Sequence, residues 1–124
     1  MIRTIGVPAE TKDGERRVVL DPSAVAMAVS AGFEVRVQSN AGVGAGFSNG
    51  AYEKVGAEIV PTAGDAWESD LVVKVKEPQP AEWQYFREGL QLFAYLHLAA
   101  PAIRAFAYAK GRTGGERGVP KIEP

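Results

Sequence analysis

The chain opens with a short apolar run, Thr4-Ile5-Gly6-Val7-Pro8, whose proline stop marks it as a strand. A polar loop from Ala9 to Arg16 leads into Arg17-Val18-Val19-Leu20, and Asp21-Pro22-Ser23 then signals a helix start. Asp21 can accept from free amide N–H groups, and Pro22 suits the first helical position. Val25 and Val29, four apart, give that helix a buried side, and it should run to about Ala31, where Gly32 supplies a left-handed stop. Phe33-Glu34-Val35-Arg36-Val37 alternates apolar and charged residues, the period of a strand. Beyond the Gly-rich loop Ala41 to Gly46, the pattern predicts a helix near Ala51 to Val55, a strand at Glu58-Ile59-Val60 and a helical turn at Ala63 to Trp67. It continues with a strand at Leu71 to Lys76, the breaker Pro78-Gln79-Pro80, a helix at Glu82 to Arg87, a strand at Gln91 to His97 and a helix at Pro101 to Tyr108. Strands alternating with helices imply a doubly wound, mostly parallel α/β sheet.

Composition narrows the function classes. With 124 residues the chain is one domain's worth or part of a larger one. A net charge of −1 gives no electrostatic reason to expect nucleic acid or an acidic membrane surface. The absence of cysteine excludes disulfides and thiolate metal sites, and no metal site is expected. No apolar run reaches the roughly 18 residues of a membrane span, and Met1-Ile2-Arg3-Thr4 does not open a signal peptide, so the expected location is cytoplasmic. The charge is uneven. Through Ile103 there are 9 Lys and Arg against 13 Asp and Glu, whereas from Arg104 onward there are 5 against 2. That change coincides with a Gly-rich run, Gly111 to Gly118, so 1–103 reads as a domain and 104–124 as a basic, disordered tail.

Ligands of open parallel sheets bind at the carboxyl ends of the strands. Arg17 follows the first strand and its loop, Lys76 closes one later strand, and His97 closes another. A guanidinium can hold a carboxylate through two parallel hydrogen bonds, an ammonium can stabilise negative oxygen, and an imidazole can pass a proton near neutral pH. Together they suit a 2-oxo acid or an α-amino acid, and they should converge on one cleft. Each also has a plainer reading. Arg17 lies in Glu15-Arg16-Arg17, which could be a solvated turn. His97, the only histidine, sits between Leu96 and Leu98 like a structural residue. Lys74 and Lys76 share a strand two residues apart, and Lys74 is expected to face solvent or a structural partner.

Gly42-Val43-Gly44-Ala45-Gly46 does not make a dinucleotide fingerprint. Phe47 and Asn49 stand where that motif needs a small residue, so the loop reads as a structural turn and no cofactor-binding residue is expected.

Five pieces carry a resemblance: Ile5-Gly6-Val7-Pro8-Ala9-Glu10, Glu15-Arg16-Arg17-Val18, Ala41 to Phe47, Lys74-Val75-Lys76-Glu77-Pro78 and Leu96-His97-Leu98-Ala99-Ala100. In this order, over about residues 1–100, the chain resembles the N-terminal substrate-binding domain of alanine dehydrogenases. The resemblance implies a Rossmann-like or flavodoxin-like domain, incomplete here, in an enzyme interconverting L-alanine with pyruvate and ammonia. It implies NAD as cofactor, bound by a separate domain that this chain lacks, together with a catalytic aspartate, and a homo-oligomer such as a hexamer. It implies that Arg17 binds the substrate carboxylate, that Lys76 contacts substrate, that His97 is the acid–base group, and that Tyr95 lines the site. The nearest competitor is the NAD(P) transhydrogenase α subunit, which shares the Gly-Glu-Arg-Arg-Val opening but typically lacks the histidine; another is an inactive truncated remnant. The expected reading is a truncated dehydrogenase chain, inactive alone.

Overall fold

The computed structural model describes residues 2–95 and 121–123. Six strands form one sheet: β1 (Thr4–Val7), β2 (Glu34–Gln38), β3 (Glu58–Val60), β4 (Leu71–Lys76), β5 (Gln91–Tyr95) and β6 (Lys121–Glu123). Every pairing is parallel, in the order β3-β2-β1-β4-β5-β6. The chain winds outward from β1 through β2 to β3, returns to β4, and then winds the other way. The reversal lies between β1 and β4, and the crevice beyond their carboxyl ends is where such sheets bind ligands.

Three helices, α1 (Pro22–Ser30), α2 (Asn49–Lys54) and α3 (Ala63–Trp67), start on side-chain caps. Asp21 accepts from Ala24 N at 2.8 Å, as the sequence suggests. Ser48 accepts from Ala51 N at 3.2 Å, so α2 begins two residues earlier than apolar spacing alone indicates. Gly32 and Gly56, at φ of 100° and 102°, take the left-handed backbone that ends α1 and α2.

Successive strand residues face opposite ways, and β4 shows it: Val73 joins one core and Val72 the other. The first core packs Ile5, Val7, Val35 and Val37 against Val25 of α1 and Tyr52 of α2. The second gathers Trp67 of α3 with Phe86, Leu90, Leu92 and Ala94. Gly6 lets α3 approach β1 closely, because a Cβ there would collide with the Ala66 carbonyl oxygen and lie 2.8 Å from Ser69 Oγ.

The structure departs from the expected elements in two places. The helix expected at Glu82 to Arg87 is a 3-10 helix at Pro80–Tyr85, started two residues earlier by Pro80, with Glu82 Oε1 accepting from Gln79 N at 2.9 Å. Secondly, Lys121–Glu123, within the tail expected to be disordered, pairs with β5 as β6. Without it, β5 would present an unpaired edge. The helix expected at Pro101 to Tyr108 lies outside the described residues.

Candidate functional site

The long connection from β1 to α1 runs over the carboxyl ends of β1 and β4, and two carboxylates hold it there. Glu10 turns back onto β4, where its Oε2 accepts from Val75 N at 2.8 Å and its Oε1 from Lys76 N at 3.2 Å. The β4–β5 register shifts between Lys74 and Lys76, so this end of the strand is irregular and leaves amides for Glu10 to bind. Lys74 is 1% exposed, and its Nζ lies 3.1 Å from Glu10 and 3.3 Å from Glu82. It is the structural member of the lysine pair, enclosed by two acids rather than facing solvent. Burial pushes the Glu82 carboxyl above its usual range, against the pull of Lys74. Lys12 and Glu77, 2.8 Å apart, make a further tie between the loop and the segment after β4.

Farther along the loop, Arg17 grips Glu15. Its Nε and Nη2 each donate at 2.9 Å to the two carboxylate oxygens, and its backbone N–H donates at 2.8 Å. The Glu15 side chain is 6% exposed, against 67% for Arg17. The carboxyl is therefore folded inward and the guanidinium faces outward. These hydrogen bonds hold the Glu15 carboxyl down at about 2, with the Lys76 ammonium adding attraction. Lys76 itself ends β4, at the carboxyl edge of the sheet. A guanidinium and an ammonium are groups that hold a small carboxylic acid by charge-assisted hydrogen bonds.

The Gly-rich loop buttresses this arrangement. Val43–Ala45 form a 3-10 turn ended by Gly46 at φ 95°. At Gly44 a Cβ would stand 3.1 Å from the Arg16 carbonyl oxygen, so the loop packs closely on the backbone beside Arg17. Tyr52 extends from below and donates from its hydroxyl to the Leu20 carbonyl at 2.8 Å, which ties the far end of the same connection to α2. Burial pushes the Tyr52 phenol up to about 12.

Of the residues singled out from sequence, Arg17 lies on the β1–α1 connection with its guanidinium on Glu15, and Lys76 ends β4. Tyr95 ends β5 opposite Lys76, and nothing further is described of its side chain. His97 lies outside the described residues. Sequence reasoning missed the acids Glu10, Glu15 and Glu82. Their signal was present in the lysine pair itself, because a cation on a sheet strand between apolar residues needs a buried anion.

The strand order is that of dinucleotide-binding folds, and the β1–α1 connection is the long segment Pro8 to Asp21 in place of a tight Gly-rich turn. No helix among the described residues is long and apolar enough to cross a membrane.

Comparison with known proteins agrees with this architecture. Residues 6–114 match the family described as alanine dehydrogenase/PNT, N-terminal domain. The match runs past Ile103, into the segment that the charge change sets apart. An alanine dehydrogenase of Bacillus subtilis is 53% identical over 110 residues, covering 88% of this chain and 29% of that protein. One from Geobacillus stearothermophilus is 52% identical over 97 residues, covering 77% of this chain and 26% of its own length. A solved L-alanine dehydrogenase superposes with a TM-score of 0.79 at 48% identity, over 88% of this chain and 30% of that one. A transhydrogenase from Sinorhizobium meliloti superposes equally well, at 0.78, but with 32% identity over 86% of this chain and 32% of its own. The chain therefore spans about a third or less of the length of these relatives. It belongs to the alanine dehydrogenase/PNT N-terminal domain family.

Proposed function

We propose that the chain is the substrate-carboxylate-binding part of an NAD-dependent L-alanine dehydrogenase. The observation that supports this most is the likeness to a solved L-alanine dehydrogenase, at 48% identity and a TM-score of 0.79 over 88% of this chain. Arg17 binds the carboxylate of alanine or pyruvate, Lys76 meets the carbonyl or carboxylate oxygen, and Tyr95 lines the site. His97 exchanges the proton at the reacting oxygen. NAD supplies the hydride chemistry from a domain outside residues 1–103. The chain alone is inactive, and the working enzyme is a cytoplasmic homo-oligomer. The dehydrogenase reading is favoured over the transhydrogenase one by 48% against 32% identity at equal structural similarity.

A chimera in which this chain replaces the matched region of the Bacillus subtilis enzyme tests the assignment by steady-state kinetics. His97→Gln should lower kcat by about 10²–10⁴-fold with little change in pyruvate affinity, since it removes proton transfer. Arg17→Ala should mainly raise KM, because its grip acts in the ground state too. Lys76→Ala should change both. Equal and modest effects on KM alone from all three would place the acid–base group elsewhere.

A further inference from the structure

Glu10 does more on β4 than face a lysine, and its other bonds have no part in the reading above. We propose that Glu10 is a positioning residue for Lys76: by accepting from two amides at the irregular end of β4, it sets the register from which Lys76 meets substrate. The inference rests on the proposed contact of Lys76 with substrate.

The β4–β5 ladder pairs Lys74 with Ala94 and then Lys76 with Tyr95, so β4 carries one extra residue, Val75. In an unbroken ladder Lys76 would stand level with position 96, on the face of Lys74. The extra residue sets it level with Tyr95, which takes the opposite place to Ala94 in the alternation of β5. A bulge of this kind re-aims a side chain, and it also takes amides out of the ladder. Glu10 supplies an acceptor for them: its Oε2 takes Val75 N at 2.8 Å and its Oε1 takes Lys76 N at 3.2 Å. Charge-assisted bonds to two successive amides fix two peptide planes, and with them the direction in which Lys76 leaves the strand. Lys74 is closed off from water, whereas Lys76 is half-buried. The carboxylate is itself held firmly, with its side chain 4% exposed. On one side of it Ala9 N donates to Gln38 Oε1 at 2.8 Å, and on the other Lys12 pairs with Glu77. Charge alone does not account for this arrangement. Glu82 also faces the Lys74 ammonium, at 3.3 Å, and its bond to backbone goes to Gln79 rather than to β4.

A double-mutant cycle on the 124-residue chain tests this, with pyruvate affinity read by ¹H–¹⁵N NMR titration. Glu10→Gln keeps the shape of the side chain but turns one acceptor into a donor, set against amides and an ammonium that also donate. It should weaken pyruvate binding about fivefold or more in the wild-type background and less than about twofold in a Lys76→Ala background, because Glu10 acts through Lys76. Hydrogen exchange at the Val75 and Lys76 amides should quicken about tenfold or more, while the Val35 and Val37 amides in β2 keep their protection. Glu82→Gln removes charge from the same buried cluster and should leave pyruvate affinity within about twofold of wild type. Where Glu10→Gln does not fold, Glu10→Asp replaces it, with the same outcomes expected: it keeps a charge for Lys74 but stops one methylene short of the amides. The role of Glu10 is overturned by equal factors in the two backgrounds, by a factor under about twofold in the wild-type background, or by an equally large effect of Glu82→Gln. In each of those cases the substrate site stands. A wild-type chain without saturable pyruvate binding overturns both the site and the inference resting on it.

Discussion

The two ends of the β1–β4 pair are both rich in charge, but they use it differently. At the amino end, charged side chains bond to backbone. Asp70 Oδ2 accepts from Arg3 N at 2.8 Å and Thr4 N at 3.1 Å, while Thr4 Oγ1 accepts from Asp70 N at 2.8 Å. Arg87 donates to the carbonyls of Trp67, Glu68 and Ser69, which closes the exit of α3. These contacts satisfy strand and helix ends that would otherwise lack partners. At the carboxyl end, charge is set mainly against charge: Lys74 with Glu10 and Glu82, Lys12 with Glu77, Arg17 with Glu15. Such an end costs desolvation to build, and in return it fastens the β1–α1 connection onto β4. One end satisfies backbone groups, and the other pairs ions.

Substitutions can break this contrast, and the largest effect is expected at Lys74. Lys74→Met removes the cation between two buried carboxylates and should cost about 3–5 kcal/mol in urea denaturation. A loss under about 1 kcal/mol would mean that the buried cluster is not the anchor of this end. Asp70→Ala, at the amino end, leaves two strand amides without their acceptor and should cost about 1–2 kcal/mol. It should leave the chemical shifts of residues 15–17 in place; movement there would show that the ends are coupled.

The pH response should separate the groups further. Hydrogen bonds from Arg3 and Thr4 lower the Asp70 pKa, and those from Arg17 lower that of Glu15 to about 2. Both folded-state values lie below the unfolded ones. Their contribution is therefore present above the usual carboxylate range and is lost as pH falls through that range toward about 2. Denaturation curves of Glu15→Gln between pH 5 and pH 2, on the order of the carboxylate range, should fall less steeply than wild type. Parallel curves would contradict the assignment. Glu82 carries the opposite sign, because its folded pKa is raised by burial. Its stabilising contribution is present below the unfolded value and is lost as pH rises through the folded one. Glu82→Gln should have the smallest effect, within about 1 kcal/mol of wild type near neutrality, with its relative stability improving as pH rises.

Much of this frame was legible in the chain because local chemistry agrees with the fold. Asp21-Pro22 placed α1, Gly32 and Gly56 ended helices, and the alternation in Glu34–Gln38 marked β2. Arg17 and Lys76 were singled out for a different reason: they stand at or beyond strand ends, where a parallel sheet gathers ligands. The acids were not. Glu10 reads as an ordinary loop residue, and only folding brings it onto the amides of Val75 and Lys76, 65 and 66 positions away. The Lys74–Lys76 contrast was half legible, since alternation puts both on one face while the register shift and the acids at Lys74 separate their roles. The sixth strand, β6, escaped because a Gly-rich basic composition says nothing about which short piece will pair with an open edge.

The most direct test of the account is to ask which end of the sheet a small carboxylate finds. Pyruvate is titrated into the ¹⁵N-labelled 124-residue chain, and shift changes are mapped along the sequence. The account predicts saturable perturbations at residues 15–17 and 75–77, abolished by Arg17→Ala, with Arg3, Thr4 and Asp70 unmoved. Perturbations centred on Arg3, Thr4 and Asp70, or an unchanged response in Arg17→Ala, would contradict it.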